Sequence, residues 1–350
     1  MAEKNRQIIG LWLLLGVAML IIQVLLGGIT RLTGSGLSIT EWKPILGALP
    51  PMNEQDWQTS FQKYQQIAQF KYLNQDFSMS DFKFIYFWEW MHRNWARLIS
   101  VVFLIPFAWF LYKRMISRDM VPKLIGLFLL GIAQGLIGWI MVASGLNDEN
   151  LYVSHIRLAI HFISALVLIG FNLWFALSLM IKDEDRVQHH SLRTLTIAVI
   201  VILGIQLTYG AFMAGLKAAN IAPTWPRING DFLPAAVFSS NPVQHPISIH
   251  FIHRSLASIL LILIVWLSVK SYRLTGVTSL FRKMALFPSI LGLLQVTLGI
   301  LSVLNAMHPT RNGFGLFEWM AQLHQIVAML LLLSLITLLY FYRKSALKAK

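Results

Sequence analysis

Residues 124–161, LIGLFLLGIAQGLIGWIMVASGLNDENLYVSHIRLAIH, decide the fold. They open with an uncharged run from Leu124 to Asn147, long enough to cross a hydrocarbon core that takes about 20 helical residues. Within that run stands a polar step, Gln134 and Gly138, and the next apolar run carries His161 just inside its start. The same figure recurs as Gln23/Gly27 with His92, Gln206/Gly210 with His253, and Gln295/Gly299 with His324. Run twice through one chain, the alternation spells a duplicated four-helix unit. An imidazole inside a bilayer is costly without a partner, so four at matched depth point to two sites, each ligated by a histidine pair. The Gln-x-x-x-Gly steps taken alone read as helix packing, in which a small residue lets backbones approach and Gln hydrogen-bonds across the contact.

Composition agrees with a polytopic membrane protein: 56% of the 350 residues are hydrophobic, 13% are charged, and the mean hydropathy is +0.62. Uncharged runs of 23 residues or more cover Gln7 to Thr30, Leu124 to Asn147, Leu158 to Ile181, Thr194 to Leu216, Met284 to Thr310 and Trp319 to Tyr342. Two further runs, Leu98 to Tyr112 and Ser255 to Val269, have only 15 residues each and must draw in what precedes them to span. What precedes them is Glu89, His92, Arg93 and Arg97 in one case and His250, His253 and Arg254 in the other. Eight spans result, an all-α membrane fold of two parallel-repeat four-helix bundles, residues 1–182 and 183–350.

Basic residues orient the spans. With the N-terminus in the cytoplasm, the tails and the loops after even-numbered spans hold 17 Lys and Arg, from Lys4 and Arg6 to Arg343, Lys344, Lys348 and Lys350; the opposite loops hold eight. Positive charge stays inside, so both termini are expected in the cytoplasm and all four repeat histidines in the outer half of the bilayer. The net charge of +14 is then a topological signal and an attraction to anionic lipid, not a nucleic-acid footprint. The first apolar run is too long for a cleavable signal peptide, which suits a bacterial inner membrane. Zero cysteines exclude disulfides, iron–sulfur ligation and thiol zinc sites, leaving nitrogen and oxygen ligands for any metal.

Glu89, His92 and Arg93 stand at i, i+3 and i+4, so one helical face presents a carboxylate, an imidazole and a guanidinium. His250, His253 and Arg254 repeat the spacing with imidazole in place of the carboxylate, and Arg157 lies one turn from His161. Imidazole is a usual axial ligand of haem iron, and a neighbouring guanidinium suits a haem propionate. Glu89 has no second-half counterpart, which assigns chemistry to the first site and a held cofactor to the second; an ion pair with Arg93 or Arg97 is the plain alternative for it. Solvated positions are expected for His155, His245 and His308 at outer helix ends or in loops, and for His189 and His190 in a cytoplasmic loop. Trp88, Trp90 and Trp95 read as an interfacial belt or as a haem-pocket lining.

The run Gly27-Gly28-Ile29-Thr30-Arg31-Leu32-Thr33-Gly34-Ser35-Gly36-Leu37-Ser38 resembles the first-loop signature of haem A synthases, in the branch shared by mitochondria and proteobacteria. The likeness continues through Pro50-Pro51, Trp57, Phe61, Tyr64-Gln65-Gln66 and Phe82-Lys83-Phe84-Ile85 to Glu89-x-x-His92-Arg93, then at Arg157-Leu158-Ala159 with His161, Trp225-Pro226, His253-Arg254 and His324-Gln325. It implies oxidation of the C8 methyl group of haem O to a formyl group through a hydroxymethyl intermediate. By the same resemblance His92 and His161, with Arg93 and Arg157, flank the substrate haem; His253 and His324, with Arg254, hold a permanent haem B; and Glu89 is the catalytic carboxylate. The outer loop from Arg31 to Lys83 would cap the first site and Lys217 to Gln244 the second. Loop cysteine pairs found in some branches are missing, which rules out a thiol relay. Expected partners are haem O, the haem O synthase that supplies it, an electron acceptor or donor the sequence does not name, and membrane lipid; the sequence leaves room for a homo-oligomer. The alternative is a bis-histidine dihaem cytochrome b that carries electrons between a quinol and a partner, and a third reading is a transporter with a histidine proton relay.

Overall fold

A computed structural model of the chain describes residues 3–43, 46–147, 149–310 and 313–343; the basic residues Lys344, Lys348 and Lys350 lie outside them. Long apolar runs become long helices, with Pro106 inside α4 and Pro288 inside α11 tolerated: α1 Glu3–Leu32, α4 Met79–Tyr112, α5 Val121–Ala143, α6 His155–Met180, α7 His190–Gly215, α10 Pro246–Tyr272, α11 Ser279–Leu304 and α12 Leu316–Phe341. These eight are long and apolar enough to cross a membrane. Short helices α2 Glu54–Tyr64 and α3 Ala68–Leu73 lie in the first loop, and α8 Ala218–Ile221 and α9 Ala236–Ser239 in the loop after α7.

The two short apolar runs do extend upstream. A capping box between Ser78 and Asp81 starts α4, whose 34 residues carry it through Glu89, His92, Arg93 and Arg97 without interruption. Pro246 in the first turn starts α10, which takes in His250, His253 and Arg254.

Packing follows the order of the chain. Helix α1 packs on α4 and α6, and α5 on α6, while α4 meets α5 only lightly; α7 packs on α10 and α12, and α11 lies between α10 and α12. The two sets join where α6 meets α7 and α12 and where α1 meets α12. One apolar core runs through this seam, from Val17, Val24, Leu166 and Ile169 to Leu203, Leu207, Leu331 and Leu335. Polar ties register it: the Gln322 amide donates to Leu25 O at 3.3 Å and the Gln325 amide to Val24 O at 3.1 Å. Gly28 lets α1 come this close, because a Cβ there would run into the Gln322 amide.

The first loop folds on the N-terminal extension of α4. Leu37, Tyr64 and Ile67 pack on Phe82 and Ile85, with the Phe61 and Tyr64 rings stacked on Phe82 at 4.9 and 5.4 Å. Tyr64 donates to Gln69 at 3.0 Å, and burial pushes its phenol up to about 12. The Glu41 carboxylate is held below its ordinary range by hydrogen bonds from Lys43 and Lys63.

The seam predicts a contrast between two glycines. Gly28→Leu forces α1 off α12 and should cost about 1–3 kcal/mol, seen as a lower thermal midpoint in detergent. Gly131→Ala, where a Cβ meets nothing within 4 Å, should melt at or above the parent. Equal midpoints for the two variants would remove Gly28 from the seam.

Candidate functional site

Each repeat histidine lies against the Gln-x-x-x-Gly step of the span before it. On α1, Gln23 donates to His92 O at 3.1 Å, and a Cβ on Gly27 would sit 3.2 Å from His92 Nε2. On α5, Gln134 donates to His161 O at 2.8 Å and lies 3.1 Å from Nδ1, while a Cβ on Gly138 would be 2.8 Å from the ring. On α7, the Gln206 amide is 3.1 Å from His253 Nδ1 and a Gly210 Cβ would be 3.3 Å from the ring. On α11, the Gln295 amide is 3.2 Å from His324 Nε2 and a Gly299 Cβ would be 2.9 Å from the ring. The packing reading of these steps therefore takes a specific form: glutamine grips the histidine residue and glycine leaves a slot for its ring.

Helices α4 and α6, which carry the first pair, both pack on α1, and α5 packs on α6 while meeting α4 lightly; α10 and α12, which carry the second, both pack on α7 and α11. In the second pair the ring centroids are 6.4 Å apart and the planes cross at 73°. Two imidazoles on opposite sides of one metal ion, with metal–nitrogen distances of about 2 Å, put their centroids roughly 6 Å apart, so this pair fits a bis-histidine haem. The His324 tautomer fits as well. Its Nδ1 stands 2.9 Å from the Gln295 carbonyl oxygen and must donate to it, so the lone pair is on Nε2, where it accepts from the Gln295 side-chain amide at 3.2 Å and where a metal would take that amide's place. In the first half the Gln134 amide oxygen instead accepts from Ser164 at 2.6 Å, fixing which end of that amide faces His161.

Glu89 is 2% exposed, and three donors converge on its carboxylate: Ser38 Oγ at 2.7 Å, Ile39 N–H at 2.8 Å and the Arg93 guanidinium at 2.6 Å. The ion pair with Arg93 is present, whereas Arg97 turns to Asn94 at 2.7 Å and Lys43 O at 3.0 Å. His250, at the equivalent second-half position, is buried with neither ring nitrogen partnered by protein.

The two His-Arg arginines share one role in the geometry. Arg93 donates to Ile39 O at 2.9 Å and Glu41 O at 3.0 Å; Arg254 donates to Thr224 O at 2.7 Å and, at longer range, to Ala222, Pro226 and Arg227 carbonyls. Each ties the long loop of its own half to the helix that bears the histidine. Arg157 is exposed and makes one bond, to Ile140 O at 3.0 Å.

The remaining candidates are structural. His155 is half-buried and joins the halves, its Nε2 3.0 Å from Val243 O, while His308 is exposed. Half-buried His245 leaves Nδ1 unpartnered by protein. His189 caps α7, its Nδ1 accepting from Leu192 N–H, and His190 is exposed. Trp90 and Trp95 donate to Ala48 O at 3.0 Å and Met19 O at 2.8 Å; the buried Trp88 Nε1 finds no protein acceptor. Sequence reasoning gave no role to Ser38 and Ile39, because their link to Glu89 is a contact across 50 residues. The match of each glutamine to its histidine had a signal, the fourfold spacing.

Residues 10–336 match the family model of the cytochrome oxidase assembly proteins COX15-CtaA. The chain is 41% identical to a haem A synthase of Rhodospirillum centenum over 305 residues, 85% of this chain and 81% of that one. It is 43% identical to one of Parvibaculum lavamentivorans over 269 residues, 75% and 78% of the two chains, and 36% identical to one of Flavobacterium johnsoniae over 344, 95% and 96%. A match along nearly the whole chain, carried on a helical frame whose glutamine-glycine steps receive four histidines, makes this protein a member of the COX15-CtaA family.

Proposed function

We propose that the chain is a haem A synthase, a membrane oxidoreductase that converts the C8 methyl group of haem O to a formyl group by way of a hydroxymethyl intermediate. The observation that carries the reading is a single carboxylate, Glu89, fixed one helical turn from one of two histidine pairs and replaced by His250 at the other. Residues 1–182 form the substrate half, with His92 and His161 on either side of haem O. Residues 183–350 form the cofactor half, in which His253 and His324 would hold haem B. When bound there, haem B supplies one-electron transfer.

The chain's own groups do the positioning. Glu89 lies beside the substrate, where its carboxylate stabilises positive charge developing at the carbon being oxidised or takes the proton released. Ser38 and the Ile39 N–H fix that carboxylate from the loop side, so loop and helix set its place together. Arg93 and Arg254 serve their haems by locking the loops that cap each site, and Arg157, with donors to spare, meets a substrate propionate. Light contact between α4 and α5 supports sideways entry of haem O with its long apolar tail. Electrons pass to an acceptor outside the chain, and haem O arrives from its synthase.

The protein crosses the bacterial inner membrane with both termini in the cytoplasm. The spans support this orientation, because Lys113, Arg114 and Arg118 fall between α4 and α5, and Lys270 and Arg273 at the end of α10, on the side that α1 starts from. All four histidines then lie toward the outer face.

Two variants test the assignment, read by extracting and identifying haems from protein made in cells that supply haem O. The parent should yield haem A or its hydroxymethyl precursor. Glu89→Gln should retain bound haem and yield neither product; normal haem A from that variant would take Glu89 out of the reaction. Ser38→Ala removes one of the three donors to the carboxylate, and a hydrogen bond to a charged group is worth about 1.5–3 kcal/mol. Turnover should fall by roughly tenfold or more with haem content unchanged, and an unaltered rate would show that the loop does not position Glu89. Haem B alone in the parent would hand the protein to the electron-carrier reading.

A further inference from the structure

Arg31 closes the last turn of α1. One turn earlier, Gly27 faces the ring of His92. Its guanidinium leaves the first half and donates, at 3.4 Å, to the carbonyl of Ala214 on α7, itself one turn beyond Gly210, which faces the ring of His253. The cation thus stands between the two sites, a turn outward of each.

It is also short of partners. Nε is buried with nothing to bond, and among the described residues no carboxylate lies within ion-pair distance of Arg31. The two buried carboxylates of the outer side are already held, Glu89 by Arg93 and the Ser38 loop, Glu318 by the N–H groups of Thr310 and Gly315. Arg93 and Arg254 spend their donors on loop carbonyls. A guanidinium inside a membrane protein with one long bond and no counter-charge is expensive, and its planar fork suits a carboxylate.

We infer that Arg31 reaches across from the first half to bind a propionate carboxylate of the haem held by His253 and His324. This rests on the haem reading of the second half. The cofactor is chosen over the substrate because the guanidinium is anchored on α7, at the wall of the second site. A cation at that place favours the added electron, so Arg31 sets the potential of that haem.

The test uses full-length Arg31→Gln and Arg31→Lys, purified in detergent from cells without haem O, with haem content, visible spectrum and an equilibrium redox titration as readouts. Arg31→Gln should keep the bis-imidazole spectrum while the ferrous-to-ferric ratio at fixed potential falls about tenfold, the order Coulomb's law gives for one charge lost at about 12 Å and an effective dielectric of about 20. Arg31→Lys, which keeps the charge, should stay near the parent. Loss of haem from Arg31→Gln alone would equally support a carboxylate anchor. An unchanged ratio in Arg31→Gln, or loss of haem from both variants alike, overturns the inference. So does a shift that persists in a His324→Ala background, which would move the carboxylate to a first-half haem. A parent protein with no bis-imidazole haem overturns the haem reading itself, and this inference with it.

Discussion

Everything about the sites depends on one contact repeated four times, an imidazole seated in the slot left by a glycine one helix away. The glycine sets how close the two helices approach, and the glutamine one turn before it fixes the histidine by backbone or ring. Neither residue would hold a metal. Together they give a flexible side chain on a lipid-embedded helix the set direction that the proposed ligation needs, and at His324 a set tautomer. A Cβ at Gly138 or Gly299 would clash with the ring, and one at Gly27 or Gly210 would press against it.

On this shared frame the halves differ in what surrounds the ring. In the first, a carboxylate is built into the wall and gripped by both an arginine and the outer loop; in the second, an imidazole with free nitrogens stands in its place. A carboxylate held by three donors cannot swing away when charge appears beside it, so its field is already organised before any reaction. Such cost in a site is justified by chemistry and not by storage, which is why the asymmetry supports a substrate half and a cofactor half.

Much of this was legible in the sequence. Eight helices, including the extension of α4 and α10 through charged residues, followed from run lengths against the bilayer, and the repeat located all four histidines. What pattern could not supply was the third partner in each contact. The i, i+4 spacing that set Arg93 and Arg254 beside the proposed haems describes one helix and could not show their bonds to loop carbonyls dozens of residues distant. Ser38 sat in a quoted signature without a role for the same reason, and His155 looked solvated because its acceptor, Val243, belongs to the other half. Local periodicity fixes which face a side chain is on; it does not say what the chain brings to that face.

The distribution of packing completes the functional argument. A cofactor haem must stay through every turnover, whereas a substrate haem must enter and leave. The second half has the means to retain: α10, α11 and α12 pack in sequence, and α7 closes on both α10 and α12. The first half is closed most firmly at α1 and α6, the helices that also build the seam, while α4 and α5 bury few residues and meet only lightly, through Phe103 on Phe128 and Phe110 near Leu124 and Leu127. Opening between α4 and α5 would leave the seam intact, so on the proposed reading the spacing of the two sites survives exchange of one haem. The loop lashed to α4 through Arg93 and Glu89 then couples that opening to the carboxylate proposed as catalytic, because α4 cannot move far from the loop without drawing on the bonds that hold Glu89 in place.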